Sequence, residues 1–329
     1  MRDVARAAGV SLATVSYVVN HGPKPVGEAT RQRVLDEINR LDYRVAAPGR
    51  TRTRPLTIGA IVPDANNSFF SQALAGVETA LNEPGHVLMV ASSKEDPARE
   101  REVLAAFLRA RIDALILTPC RQVPAEAERL PSRGVPVVLM DRDGGASELS
   151  RVGMDNYGSA FQATRLLIES GHRLIALVNG PEQVSTARDR LRGYRDALAG
   201  AEVPFRSEYV RLNPFTVEHG RQSTLELLAL RKRPEAIFSS SAILTAGVVA
   251  ALRARRLRWP EDIAIVGFGD APWASLVTPA LTVVEQPARQ LGEVAARMLL
   301  ATSEASEPGQ RVVLDSHVIL RESHWRRVA

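Results

Sequence analysis

The stretch DVARAAGVSLATVSYVVN, residues 3 to 20, decides how the chain begins. A short Ala-rich helical segment runs to Gly9, a residue suited to a turn. Ser11 follows where an N-cap belongs, its hydroxyl placed to accept from backbone N–H groups of the next turn. From Leu12 to Val19 the apolar spacing is helical. Val15, Val18 and Val19 share one face at i, i+3 and i+4 and are expected to pack on Val4 and Ala8. The opposite arc presents Ala13, Ser16, Tyr17 and Asn20, with Leu12 and Thr14 at its margins. Helix, glycine turn and helix make a helix-turn-helix, and the second helix starts with residues small enough to enter a major groove about 12 Å wide. A third helix is expected from about Glu28 to Asp42, with Val34, Ile38 and Leu41 inward. The same pattern also suits a three-helix bundle used for protein contacts. Asp3 is the only nearby cap for the first helix, so that helix frays or the true start lies upstream.

Charge favours a nucleic-acid partner. Residues 1 to 55 hold ten Lys/Arg and five Asp/Glu, which leaves 32 of each in the rest (42 less 10 and 37 less 5). The whole formal charge of +5 therefore sits in the first sixth of the chain, as expected for a module that meets a polyanion.

Composition excludes other classes. At 329 residues the chain is expected to form two or three domains. With 45% hydrophobic and 24% charged residues it reads as globular and soluble. It has no apolar run near the ~18 residues that span a bilayer and no secretory h-region, so no membrane partner is expected. A lone cysteine, Cys120, fits a reducing, cytoplasmic setting and reads as a buried or idle thiol. The six histidines are scattered without zinc-ligand spacing, and neither a phosphate-loop motif nor a GxSxG elbow occurs. No catalytic residue, metal or cofactor is assigned, and an enzyme is not expected.

The body reads as doubly wound α/β. Apolar runs LTIGAIV, VLMVAS, DALILT, VPVVLM, LIALVN, AIFSS and DIAIVGF alternate with helical stretches of about a dozen residues, the pattern of parallel sheets covered by helices on both faces. Two such units fit the length, and ligands of open α/β sheets bind beyond the carboxyl ends of the strands.

The chain resembles the LacI/GalR transcription regulators. The resemblance runs through residues 3 to 20 and ATRQRVLDEINRLDYR (29–44). It returns in IGAIVPDANNSFF (58–70), PVVLMDRD (136–143), GHRLIALVNGP (171–181), RLRGYRDAL (190–198) and the segment 259–292. It implies an α + α/β protein: an N-terminal three-helix helix-turn-helix domain (1–44), a basic linker (45–57) and a two-lobed, periplasmic-binding-protein-like effector and dimerisation core (58–329). The implied lobes are about 58–154 with 284–314, and 155–283 with 315–329. The implied function is sequence-specific regulation, expected to be repression. A homodimer would read a pseudo-palindromic double-stranded operator, with a small molecule between the lobes modulating affinity. The dimer contact is expected along the body's first helix, about Phe70 to Leu81, with no leucine-heptad tail for a tetramer.

The resemblance also assigns site residues. Leu12, Ala13 and Tyr17 match positions that meet base edges, and Thr14, Ser16 and Asn20 match neighbours that hold phosphates or the groove wall. Tyr17 stands where many relatives carry a basic or imidazole side chain, so a different base preference is expected. The linker RVAAPGRTRTRP (44–55) lacks the leucine and helical run of the usual minor-groove wedge. Pro48 and Gly49 interrupt it, at costs of about 3 and about 1 kcal/mol within a helix. Arg50, Arg52 and Arg54 track the DNA backbone or a narrow minor groove, or they serve a flexible charged tether. For the effector, the resemblance points to Phe69, Phe70, Asp141, Arg190, Phe215, Asp270 and Gln286. Ser241-Ala242 and Gly269 replace polar groups usual in the family, so a less hydroxylated, anionic or flatter ligand is expected in place of an ordinary hexose. The alternative is an architectural or constitutive DNA binder with a vestigial pocket.

Overall fold

A computed structural model describes residues 2–12, 14–15, 18, 26–40, 56–81, 86–145, 148–301 and 309–325. At the N-terminus, α1 (Arg2–Ala8) ends at Gly9, whose φ of +64° takes the chain left-handed at the turn. Thr14 N–H donates to Ser11 Oγ at 3.1 Å, so Ser11 caps the second helical segment as its position predicts. Val4, Ala5, Ala8, Val15 and Val18 form one buried cluster with Val34 of α2 (Glu28–Arg40), while Leu12 stays exposed on the outer arc. Leu12 and Thr14 are the described members of the DNA-reading set. Ala13, Ser16, Tyr17, Asn20, Arg50, Arg52 and Arg54 lie outside the described residues.

The core holds two six-stranded sheets. The first runs β11-β5-β4-β3-β1-β2, built from β1 (Thr57–Val62), β2 (Val87–Ser92), β3 (Ala114–Leu117), β4 (Val137–Met140), β5 (Ser150–Met154) and β11 (Arg311–Leu314). The second runs β12-β10-β9-β8-β6-β7, from β6 (Ile175–Asn179), β7 (Val210–Leu212), β8 (Ala236–Ser239), β9 (Ala264–Phe268), β10 (Thr282–Val284) and β12 (Val318–Ile319). All pairings are parallel except β10 with β12. Each apolar run named above is a strand.

Strand alternation builds four cores. In the first lobe, Ile58, Ala60, Ile116 and Val138 face α3 (Ser68–Ala80) and α9 (Ala288–Ala301), while Ile61, Leu115, Leu117 and Leu139 face α4 (Pro97–Arg109). In the second, Leu177, Phe238 and Val266 face α5 (Asn156–Glu169) and α6 (Ser185–Gly200). Val178, Ile237 and Ile265 face α7 (Val217–Leu228) and α8 (Ala242–Ala254). The chain passes between sheets after β5, after β10 and after β11, so α9 returns to complete the lobe that β1 began. There α3 and α9 cross with their backbones touching: a methyl on Gly76 would run into the carbonyl of Arg289, and one on Gly292 into that of Ala73. Among the described residues, no helix is long and apolar enough to cross a membrane.

Candidate functional site: a cleft held by two arginines

β4 delivers Asp141 and Arg142 to the carboxyl edge of the first sheet. Asp141 is left-handed at φ 69°, a strained conformation for a residue with a Cβ, and its N–H donates to Val152 O at 2.9 Å. Its carboxylate is buried, and burial pushes its pKa up. Arg142, also buried, donates to both oxygens of Glu95 at 2.8 and 2.7 Å, and more weakly to the carbonyls of Pro119 and Cys120 at 3.3 and 3.4 Å. Glu95 reaches it from a turn in which Lys94 and Glu95 are both left-handed. Behind this pair, buried Glu100 accepts from Cys120 N–H at 2.7 Å and is itself raised by burial. The Cys120 thiol, donating to Ser93 Oγ at 3.1 Å, is pushed up by burial to about 12, so it stays protonated and unreactive.

The second lobe answers with Arg190 on the first turns of α6. Its Nε donates to Asn156 Oδ1 at 2.9 Å and its Nη1 to Ser240 O at 2.6 Å, and the guanidinium lies 3.9 Å from the centroid of Phe268. Burial pulls its pKa down to about 10, partly offset by Asp141 across the cleft. Phe215 completes the wall. One face presses on Gly180, where any Cβ would collide with the ring, and the guanidinium of Arg142 stands 5.8 Å from its centroid. Two lobes therefore meet through Arg142 on Phe215 and Arg190 facing Asp141.

Not every sequence-assigned residue joins them. Phe70 turns into the first core while Phe69 stays half-buried at its margin, because neighbours on a helix point about 100° apart and cannot share a wall. Asp270 is taken by Arg321, which grips both oxygens at 2.8 Å. Gln286 donates to Met154 Sδ at 3.7 Å and lies against Gly269, whose φ of +90° suits glycine. Ser241 caps α8 by accepting from Leu244 N–H at 3.3 Å, which gives that serine a structural role. Gln286 lines a separate opening of about 460 Å³ beside the crossovers, where Glu285 and His317 pair at 2.8 Å. Sequence reading missed Arg142, Glu95, Asn156 and Phe268. Only Arg142 carried a signal, as the charged residue following Asp141 at a strand end.

Comparison with known proteins agrees with this geometry. Residues 1–45 match the family model "Bacterial regulatory proteins, lacI family" and residues 164–324 the "Periplasmic binding protein-like domain". The chain is 35% identical to the HTH-type transcriptional regulator CelR of Thermobifida fusca, over 97% of this chain and 96% of that one. It is 34% identical to the ribose operon repressor of Escherichia coli (strain K12), over 91% and 92%. A solved CelR–cellobiose complex superposes with a TM-score of 0.75 at 33% identity, covering 97% of this chain and 98% of that one. A LacI family regulator from Enterococcus faecium with bound ribose gives 0.73 at 27%, covering 81% and 98%. The chain thus belongs to the lacI family of bacterial regulatory proteins: it is a DNA-binding transcriptional regulator with a periplasmic-binding-protein-like, two-lobed effector core, and not an enzyme.

Proposed function

We propose that this regulator is a repressor whose operator affinity is set by a small polyhydroxylated molecule bound between the lobes. The observation that carries this reading is the convergence of Arg142 and Arg190 from opposite lobes on the buried carboxylate of Asp141, beside the Phe215 ring. A hydroxyl donates to such a carboxylate and accepts from such guanidinium groups, and an aromatic face packs on the C–H face of a saccharide. Cellobiose and ribose in the two superposed relatives support a sugar. With Asp270 held by Arg321 and Ser241 used as a cap, fewer groups remain for hydroxyls, which favours a small saccharide over a heavily hydroxylated one.

On the DNA side, the proposed readers are Leu12, Ala13 and Tyr17, with Thr14, Ser16 and Asn20 on phosphates or the groove wall and Arg50, Arg52 and Arg54 along the backbone. Two copies would read a pseudo-palindrome. The proposed contact combines the outer face of α3 with β2, the edge strand of its sheet, which exposes Val87 and Val90. The test is selection of tight binders from random duplexes. The winner is then titrated across salt, with and without Arg50, Arg52 and Arg54 changed to Ala, and against D-ribose and cellobiose. A palindrome whose salt slope falls by roughly 1 per arginine per half-site, and which a sugar releases or retains, supports the reading. No enriched sequence would make the protein an architectural binder.

A further inference from the structure

Residues 56–329 balance 32 Lys/Arg against 32 Asp/Glu, yet that charge is not spread evenly. The loop before β8 carries Arg231, Lys232 and Arg233. The loop before β9 carries Arg255, Arg256 and Arg258, with Arg253 on the last turn of α8. Against these seven cations the segment 229–262 sets three acids, Glu235, Glu261 and Asp262, a net of +4 (7 less 3). β8 and β9 are adjacent and parallel, with Ala236 opposite Ala264, so the two loops enter the sheet side by side, about 4.8 Å apart. Asp262 ties them together: it accepts from Arg258 N–H at 2.8 Å and from Arg258 Nε at 3.3 Å, and it lies in the field of Arg233.

Both loops are held in place from beneath. The hydroxyl of buried Tyr209 donates to Lys232 O at 2.8 Å, and Nε1 of buried Trp259 donates to Pro279 O at 2.8 Å. Glu235 is occupied by the N–H groups of Arg173 and Leu174 at 2.9 and 3.3 Å. Arg231, Lys232, Arg233, Arg255 and Arg256 are all exposed, and none forms a salt bridge among the described residues. A helix C-terminus draws a cation or two, which Arg253 and Arg255 supply for α8. Arg231, Lys232 and Arg233 stand past the last turn of α7, where the dipole has faded. Neither loop exposes a large apolar side chain, so the surface lacks the anchor that a protein partner buries.

We propose that this edge of the second lobe is a further, sequence-independent surface for duplex DNA, gripping its phosphates. Fixed, unpaired guanidinium groups suit phosphate oxygens, and a surface without apolar anchors binds through charge. Its place in the fold makes the duplex a second one. Both sheets turn their carboxyl edges to the cleft, where Asp141 follows β4 and Ser240 follows β8, so their amino edges are the far ends of the core. The N-terminal module joins the core at one far end, before Thr57 of β1, and the basic loops lie at the other. A regulator seated on its operator would thus hold another stretch of duplex at its opposite end.

The chain offers a direct test, because it has only three lysines: Lys24 in the N-terminal module, Lys94 in the first lobe and Lys232 in the basic loop. The full-length protein is acetylated with and without excess unrelated duplex, and the rate at each lysine is read by mass spectrometry. We expect duplex to slow Lys232 at least fivefold at low salt and to leave exposed Lys94 unchanged. About three to five phosphate contacts would weaken this binding about 40- to 500-fold between 50 and 200 mM salt, so the protection should vanish across that range. In R231Q/R233Q/R255Q/R256Q, Lys232 should lose its protection while Lys24 keeps its own, and R255Q/R256Q should lose part of it. An unprotected Lys232 in the unaltered protein, or protection that survives the fourfold variant, overturns the surface. Protection by polyglutamate and not by duplex also overturns it, and assigns the loops to an acidic protein segment.

Discussion

Replacing Glu95 by Ala strips Arg142 of both charge-assisted hydrogen bonds and leaves it the two carbonyls at 3.3 and 3.4 Å. The Arg142 side chain is 4% exposed, so its guanidinium would remain a buried cation with only Asp141, 4.0 Å from its Nε, as counter-charge. Breaking a fully buried pair from one side costs about 3–5 kcal/mol. Glu95 is 34% exposed, so water can enter the vacated place, which lowers the expected cost to about 2–3 kcal/mol for the first lobe. Tryptophan fluorescence would miss it, because Trp259, Trp273 and Trp325 all belong to the second lobe. Amide hydrogen exchange read by mass spectrometry is the suitable assay, with peptides covering β3 and β4 as reporters and β6 and β8 as internal control. Such a loss speeds exchange about 30- to 150-fold in the first lobe alone. Changing both partners, as E95A/R142M, should recover most of the loss, since apolar replacement of a buried pair is often neutral. A change below threefold in E95A, or a double variant as labile as E95A, would refute the claim that Glu95 compensates a buried charge.

Other consequences can be tested in the same way. Gly180→Ala should displace the Phe215 ring, cost about 1–3 kcal/mol and abolish any sugar response of operator binding while DNA affinity alone persists, as gel shift with and without sugar would show. Tyr17→Ala should weaken binding to the selected operator by about 1–3 kcal/mol and leave an unrelated duplex unaffected, whereas equal losses on both would remove Tyr17 from the readers. His324 is held below its ordinary pKa first by burial, with the charge of His172 adding to this, while its Nδ1 lies 2.7 Å from Thr282 Oγ1. The fold favours its neutral form, so its contribution is complete above the unfolded value of about 6.5 and is lost as pH falls through the folded one. The Tm followed by tryptophan emission should therefore drop between pH 7 and 5, and His324→Gln should flatten that drop.

The parts of the protein legible in its sequence are those set by local rules. Gly9, Ser11 and the Val4–Val15–Val18 face follow from turn chemistry, capping and a period of 3.6, and the structure contains each. The seven apolar runs became strands because parallel strands buried on both faces read as continuous apolar segments. The strands not recognised are short or polar: SRVGM and RVVL carry arginine, while β7, β10 and β12 have two or three residues. The site divides on the same principle. Asp141 and Arg190 are placed by the ends of single elements, whereas the partner of Arg142 is 47 residues away and that of Asp270 is 51 away. No periodicity carries such pairings, and Glu95 reaches its partner only through two consecutive left-handed residues that nothing in their side chains announces.

The contact of α3 with α9 also bears on how the chain is made. The helix carrying Gly76 leaves the ribosome roughly 200 residues before the one carrying Gly292, a delay on the order of 10–40 s at ordinary rates of synthesis. Throughout that interval the first lobe lacks its closing helix, and Phe70, Leu74 and Val77 wait for Leu291, Ala295 and Leu299. The strands of the second lobe through β10 are all synthesised within the wait, so most of the second sheet precedes the helix that covers the first. Chaperone demand should therefore concentrate on nascent chains halted between the two helices, and fall sharply once α9 has emerged.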